Sequence, residues 1–277
     1  MLTWHDGPAH WQFILLRLGF KLPVHPYPLA LAVSVVLLII SEANSFYAGS
    51  SGFKIAASLS FLGAGIQAAG ATGDAPFRSS ALMVAGLAFS LVGDIFLIPT
   101  PKVYAQKMAN SKSEAGFAAT DKQGDSLLFK AGTFFFALAH ISYIAAFLSD
   151  SSLAALRVPD FALAASFGAG LIYWLGILQR KPGPDAWFNV PQDMRGLVIA
   201  YVTIIMTMVA TATATDKGHQ KIVGAWTFMI SDLFVAADAF GVKKDRVQPS
   251  HGQRGWKARS VGWIAYFGAQ LLLAGSI

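Results

Sequence analysis

Long apolar runs, separated by short polar stretches, dominate the pattern of the chain. A transmembrane helix needs roughly 20 consecutive, mostly apolar residues. Eight segments fit or approach that length: residues 27–48, 53–71, 80–99, 127–148, 157–179, 194–214, 221–241 and 259–276. The pattern therefore predicts an all-α, polytopic integral membrane protein, built as a bundle of about eight transmembrane helices.

The eight segments differ in strength, and the third, fourth, sixth and seventh are the clearest. The first ends in "SEANSFYAG", so its helix can stop near residue 41. The second, "FKIAASLSFLGAGIQAAGA", is short and rich in small residues, which let helices approach closely in lipid. We therefore expect it inside the bundle. The expected domains are an interfacial or flexible tail over residues 1–26 and one transmembrane domain over 27–277.

Composition agrees with a membrane domain and narrows the chemistry. Charged residues make up 13% of the chain, about half the usual share in soluble domains. No segment remains for a soluble domain of its own. The sequence contains no cysteine, which excludes disulfides, thiol nucleophiles and cysteine-ligated metals.

The net charge of +6 lies mostly in loops on one predicted side of the membrane. Basic loops stay cytoplasmic, so we expect residues 100–126 and 242–258 in the cytoplasm and both termini on the opposite side. This distribution argues against nucleic acid as a partner.

The protein is expected to be a multi-pass integral membrane protein. In a eukaryotic cell we expect it in the endoplasmic reticulum or another endomembrane, and in a bacterium in the plasma membrane. The oligomeric state stays open.

One weak internal similarity links the third and seventh segments. "FSLVGDIFL" contains Asp94, and "FMISDLFVA" contains Asp232 in the same setting of a small residue, an aspartate, an aliphatic residue and a phenylalanine. The segments are four apart and cross the membrane in the same direction. A four-plus-four duplication, as in some transporters, would explain them, and chance similarity between apolar helices is the alternative.

Charged groups inside apolar segments are costly, at roughly 2.5–3.5 kcal/mol for a central aspartate. Helix rise places Asp94 about 7 Å and Asp232 about 14 Å from the cytoplasmic ends of their segments. The resulting hypothesis is a polar cavity open to the cytoplasmic leaflet; the alternative for each group is an ordinary interhelical hydrogen bond. The charged or titratable groups well inside the segments are Glu42, Asp94, His140, Asp232 and Asp238, and around them lie Tyr143, Tyr201, Tyr266 and Gln270.

Two familiar catalytic arrangements receive little support. A catalytic zinc takes about three histidine or carboxylate ligands, and His140 alone among six histidines lies in an apolar segment. The G-x-S-x-G motif of many serine hydrolases does not occur. The sequence therefore predicts no metal and no cofactor, and two carboxylates are the best-supported chemical unit.

At these residues the chain resembles the lysoplasmalogenase family of membrane proteins, the YhhN-like group. The similarity runs in the family's order from about residue 80 to the C-terminus. Glu42 is outside the pattern, and the loop over residues 100–126 is longer than usual. The matching pieces are "AGLAFSLVGDIFL", "FKAGTFFFALAHISYIAAF", "VIAYVTIIMTMVATA", "VGAWTFMISDLFVAADAF" and "GWIAYFGAQLLLAGS".

The resemblance implies an eight-helix enzyme that hydrolyses the vinyl ether bond of lysoplasmalogens to a fatty aldehyde and a glycerophospho-headgroup. Its two signature carboxylates fall on Asp94, after a glycine, and Asp232, after Ser231. His140, Tyr266 and Gln270 occupy other polar motif positions. We expect these three residues, with Tyr143, Tyr201 and Ser231, to bind substrate or support the aspartates.

The implied reaction suits two carboxylates. A vinyl ether is cleaved by protonation of its β-carbon, addition of water to the resulting oxocarbenium ion and collapse of the hemiacetal. One carboxyl group must be protonated near neutral pH, which a low-dielectric site favours, and the other can activate water, as in glycoside hydrolysis. We expect Asp232 to be the acid and Asp94 the base, with exchanged roles as the alternative.

The expected partners are a lysophospholipid substrate and membrane lipid. Two other functions compete with hydrolysis. Buried carboxylates also relay protons in small proton-coupled transporters, and they can hold helices together in a non-catalytic lipid-binding protein.

Overall fold

A computed structural model describes residues 19–71, 77–105, 122–151, 155–176, 187–215, 218–241 and 256–277. Each predicted apolar segment overlaps one helix. These ranges hold no strand, only an isolated bridge between Phe188 and Gly241. The helices are α1 (Tyr27–Ala43), α2 (Tyr47–Ala71), α3 (Phe77–Phe96), α4 (Lys122–Asp150), α5 (Val158–Trp174), α6 (Arg195–Ala214), α7 (His219–Phe240) and α8 (Trp256–Ala274).

Four of the helices in the described ranges are long and apolar enough to cross a membrane: Arg78–Phe96, Leu127–Asp150, Arg195–Ala214 and His219–Phe240. They are the four segments that the sequence marked as clearest. The all-helical class is confirmed, while eight spans are not. Helix α1 and helix α5 have 17 residues each, or about 26 Å, which is short for a hydrocarbon core of about 30 Å.

Three helix ends differ from the sequence prediction. Helix α1 stops at Ala43 because the chain turns there: the Asn44 side chain donates to the Ile40 carbonyl over 2.8 Å, and Ser45 has a φ of 58°. Helix α2 therefore begins earlier than predicted, at Tyr47. Helix α4 begins at Lys122, inside the predicted loop 100–126, since a polar helical start can project beyond the apolar part of a span.

Helix α2 packs against α1, α3 and α8, but it also exposes Leu59 and Ile66, so only part of its surface is interior as predicted. Helix α4 joins α3 to α6, and α7 pairs with α8. Their inner faces form one apolar core that includes Phe61, Leu87, Phe136, Phe228 and Phe267. The polar side chains described below lie within this core.

Part of the predicted tail is attached to the bundle. The Gln220 amide accepts from the Lys21 backbone N–H at 2.7 Å and donates to its carbonyl at 2.8 Å. Residues 1–18, the rest of the part expected to be interfacial or flexible, lie outside the described residues.

Candidate functional site

Asp94 lies near the C-terminal end of α3, and its side chain is only 2% exposed. Oδ2 accepts hydrogen bonds from the Ser58 hydroxyl at 2.7 Å and the Tyr266 hydroxyl at 2.6 Å. Oδ1 lies 3.3 Å from Nζ of Lys54. Both carboxylate oxygens are therefore partnered by side chains from α2 and α8.

Lys54 forms a second set of contacts around Asp94. Its Nζ donates to the main-chain carbonyl of Asp94 over 3.1 Å and lies 4.9 Å from the ring centroid of Trp263, within the range of a cation–π interaction. Lys54 is 5% exposed. A buried charge is tolerated when it is paired and hydrogen-bonded, so Lys54 and Asp94 constitute a single electrostatic unit.

Lys54 and Ser58 were not among the site residues expected from the sequence. Lys54 stands next to the predicted start of the second segment, at residue 53, but the structure buries its side chain within α2. The two residues are four apart and thus share a helix face. A lysine and a serine on one face of a helix rich in small residues is the sequence signal that could have identified them.

Asp232, on α7, is the more accessible carboxylate, with 14% of its side chain exposed. Its Oδ2 accepts from the Tyr201 hydroxyl at 3.2 Å and lies 3.4 Å from Nε2 of His140. His140 Nε2 is also 3.3 Å from the Tyr201 hydroxyl, so the three polar groups form a triangle. On the other side of the imidazole, Nδ1 lies 3.1 Å from Sδ of Met208.

The two aspartates occupy neighbouring but separate centres. The Phe228 ring lies 4.6 Å from the His140 ring and 5.4 Å from the Tyr266 ring, so it stands between them. Among the described residues, Asp232 is not a partner of Asp94. The expected grouping is thus resolved into an Asp94 centre (Lys54, Ser58, Asp94 and Tyr266) and an Asp232 centre (His140, Tyr201 and Asp232).

Gln270 and Tyr143 form a third polar group beside the Asp94 centre. The Tyr143 hydroxyl donates to Oε1 of Gln270 at 2.8 Å and lies 3.5 Å from the Ser90 hydroxyl. The Gln270 amide also faces the Tyr266 hydroxyl. Ser231, in contrast, donates to the main-chain carbonyl of Phe228 at 2.6 Å, a bond within its own helix.

The other two acidic residues of the apolar segments meet at one end of the bundle. Arg259 at the start of α8 has its Nε 3.2 Å from Glu42 and its Nη1 3.7 Å from Asp238. Asp238 has a side chain that is 51% exposed. Arg259 thus ties the ends of α1 and α7 to α8.

Among the described residues, no group of three or more histidine, aspartate or glutamate side chains is placed to hold a metal ion. The donors gathered here are instead suited to charge stabilisation and proton transfer. Lysine and tyrosine donate to Asp94, and imidazole and tyrosine contact Asp232.

Comparison with known proteins assigns the chain to a family. No match was found among curated proteins or among solved structures. A family model matches residues 49–277, the part of the chain that runs from the start of α2 through α8 and contains both aspartate centres. The chain belongs to the YhhN family.

Proposed function

We propose that this protein is a membrane hydrolase that cleaves the vinyl ether bond of lysoplasmalogens to a fatty aldehyde and a glycerophospho-headgroup. The observation that carries the proposal is the presence of two buried aspartate centres, in different electrostatic settings, within one YhhN chain. The sequence resemblance to lysoplasmalogenases supplies the reaction, and the geometry supports a role for each carboxylate.

Asp94 is the proposed base. Burial disfavours its charged form, and the positive charge of Lys54 at 3.3 Å, with the two hydroxyls that donate to Oδ2, offsets part of that cost. A fixed negative charge in a low-dielectric core can stabilise the oxocarbenium ion electrostatically and accept a proton from the attacking water.

Asp232 is suited to exchange protons. It contacts His140 and Tyr201, whose ring nitrogen and hydroxyl can donate or accept a hydrogen bond, and its side chain is partly exposed. In the proposed reaction, protonated Asp232 gives its proton to the β-carbon of the vinyl ether. Water then adds to the oxocarbenium carbon and loses a proton to Asp94.

The hemiacetal then collapses. Its hydroxyl proton passes to the leaving glycerol oxygen as the carbon–oxygen bond breaks, which releases the aldehyde and a free alcohol. Return of the proton from Asp94 to Asp232 closes the cycle, so one water is consumed without any other reagent. The Phe228 ring lies next to the His140 ring of the Asp232 centre and the Tyr266 ring of the Asp94 centre, and an aromatic ring face can stabilise a developing cation.

The helix pairings support the proposed four-plus-four duplication. The pairs α1 with α2, α2 with α3, α3 with α4 and α2 with α8 have counterparts in α5 with α6, α6 with α7, α7 with α8 and α6 with α4. Asp94 on α3 takes its partners from α2 and α8, and Asp232 on α7 takes its partners from α6 and α4. A duplicated bundle would relate the two centres in this way.

The test uses purified protein in detergent with a panel of alkenyl, alkyl and acyl lysolipids, and mass spectrometry of the products. We expect a fatty aldehyde from the alkenyl lipid and no release from its alkyl counterpart. Asp94→Asn and Asp232→Asn are the inactive controls. Release of fatty acid from the acyl lipid, without cleavage of the alkenyl one, would refute the assignment.

A second candidate is a proton-coupled transporter, favoured by the buried Lys54–Asp94 pair, because paired charges inside membranes often mark ion pathways. Transport requires sealed vesicles and a gradient, whereas the hydrolase turns over in detergent. A lipid-binding protein without catalysis would retain lysolipid and do neither. The same assay in detergent and in vesicles separates the three.

A further inference from the structure

We propose that the Gln270 amide is a binding site for a neutral acceptor oxygen: the free glycerol hydroxyl of a lysolipid, or a water held beside Asp94. The inference deepens the proposed function and rests on it for the identity of the substrate. The starting observation is a buried amide nitrogen that makes no hydrogen bond to the surrounding described residues.

Gln270 is fully buried, at 0% exposure, yet its Nε2 satisfies no hydrogen bond with a described protein group. The Tyr143 hydroxyl donates to Oε1, so it fixes which side of the amide faces Tyr143. The amide also lies beside the Tyr266 hydroxyl, which donates to Asp94. Gln270 therefore borders the polar group around Asp94 with an unsatisfied donor.

Gln220 shows what a structural glutamine looks like in this chain. It is buried to a similar degree, at 6% exposure, and every part of its amide is used. Oε1 accepts from the Lys21 backbone, and Nε2 donates to the carbonyls of Lys21 and Leu272, both over 2.8 Å. Because buried polar groups are normally partnered, the difference indicates that Gln270 serves a ligand.

The chemistry of the surrounding groups restricts that ligand to a neutral oxygen. Nε2 can only donate, so its partner must be an acceptor. Lys54 is already neutralised by Asp94, and Gln270, Tyr143 and Ser90 are uncharged, so the cluster offers no spare positive charge for a phosphate. The vinyl ether oxygen is a poor candidate, because it gains positive charge during the reaction and a donor would oppose that change.

Two neutral oxygens remain, and they predict different kinetics. A hydroxyl on the glycerol carbon next to the vinyl ether would be held by Gln270 in the substrate complex. The site would then select lysolipids over lipids acylated at that position, since a site built to hydrogen-bond a hydroxyl discriminates strongly against its absence. A water held by Gln270 would instead be the nucleophile, oriented towards Asp94.

The test compares Gln270→Met with Gln220→Met. Both substitutions remove a buried glutamine amide, but the Gln220 amide is fully hydrogen-bonded to the protein and the Gln270 amide is not. Each variant is assayed for kcat and KM on an alkenyl lysolipid and on its 2-deoxy analogue. Binding without turnover is measured in parallel as the Tm shift caused by a 1-alkyl lysolipid and its 2-deoxy analogue. We expect Gln220→Met to lower Tm and to leave kinetics unchanged in the folded protein.

If Gln270 holds the substrate hydroxyl, wild-type protein prefers the hydroxylated lipids, and Gln270→Met raises KM about tenfold for them and removes the preference. If it holds water, Gln270→Met lowers kcat equally on both substrates and leaves KM and lipid binding unchanged. The proposal is overturned if Gln270→Met, or Gln270→Asn should the first variant not fold, keeps wild-type kcat, KM and hydroxyl preference.

Failure of the proposed function would look different. Wild-type protein would then not cleave alkenyl lysolipids. The inference would be tested only by the Tm shifts that the 1-alkyl lysolipid and its 2-deoxy analogue cause. A hydroxyl preference in binding that disappears in Gln270→Met would still support the site. A nucleophilic water has no role without hydrolysis, so equal binding of both alkyl lipids by both proteins would then refute the inference.

Discussion

The two aspartate centres contain the same side chain in opposite surroundings. Asp94 is enclosed, faces the permanent charge of Lys54 and accepts from Ser58 and Tyr266. Asp232 is partly exposed and faces imidazole and a phenol. Lys54 favours the charged form of Asp94, which suits a base, while Asp232 has no lysine beside it. In the proposed reaction, the environment of each aspartate, and not its motif, therefore decides which one is the acid and which one is the base.

The largest expected effect comes from removing either carboxylate. Asp94→Asn and Asp232→Asn each keep the shape of the side chain but remove its ability to exchange a proton. Loss of a positioned general acid or base typically lowers the reaction rate about 10²–10⁴-fold. Because groups that act as a unit lose activity non-additively, the double variant should be little worse than either single one. Turnover and Tm are measured on the same purified sample. A well-folded single variant that keeps more than about half of the activity would end the two-carboxylate mechanism.

Lys54→Met tests the charge pairing at Asp94. Removing one partner of a buried pair leaves an uncompensated charge and costs about 3–5 kcal/mol of stability. We expect a lower Tm for Lys54→Met, and recovery of Tm without recovery of activity in the double variant with Asp94→Asn. Denaturation of each purified variant in detergent measures the effect.

The chain offers a matched control for this pair. Lys221 on α7 forms an ion pair with Asp150 at the end of α4, and Lys221 is likewise buried. Lys221→Met should also lower Tm, but folded Lys221→Met should turn over at the wild-type rate. Equal kinetic losses for Lys54→Met and Lys221→Met would show that Lys54 acts only through stability.

A smaller effect is expected from Tyr266→Phe. The substitution removes the 2.6 Å hydrogen bond to Asp94 but leaves Lys54 and Ser58 in contact with the carboxylate. Hydrogen bonds to charged groups contribute about 1.5–3 kcal/mol, so we expect kcat to fall at least tenfold with little change in KM. Steady-state kinetics on the alkenyl lysolipid measure both. A change in KM alone would assign Tyr266 to lipid binding.

Much of this arrangement was readable from the sequence. Uninterrupted apolar runs located the four spans that meet the length and hydropathy requirement, and the cost of burying a carboxylate singled out Asp94 and Asp232 as unusual. These signals are local, because each depends on a single helix. The sequence placed the polar groups in one hypothetical cavity and did not divide them into two centres.

What the sequence did not reveal depends on contacts between helices. Lys54 looked like a charge near the end of a segment, and only the packing of α2 against α3 shows that it faces Asp94. Separation of the two carboxylates by Phe228 was also hidden, since an aromatic residue in an apolar run carries no sign of its neighbours. The unmet donor of Gln270 likewise appears only when the surrounding groups are known.

The smallest expected effect concerns metal. Both nitrogens of His140 already have partners: Nε2 contacts Tyr201 and Asp232, and Nδ1 contacts Sδ of Met208. A catalytic zinc would need about three ligands with an open position, and the groups around His140 supply a single imidazole and a single carboxylate. We therefore expect EDTA to leave kcat unchanged and His140→Ala to retain measurable turnover, because Tyr201 still donates to Asp232. Complete loss of activity in EDTA, restored by zinc alone, would replace the acid–base role of the Asp232 centre with a metal site.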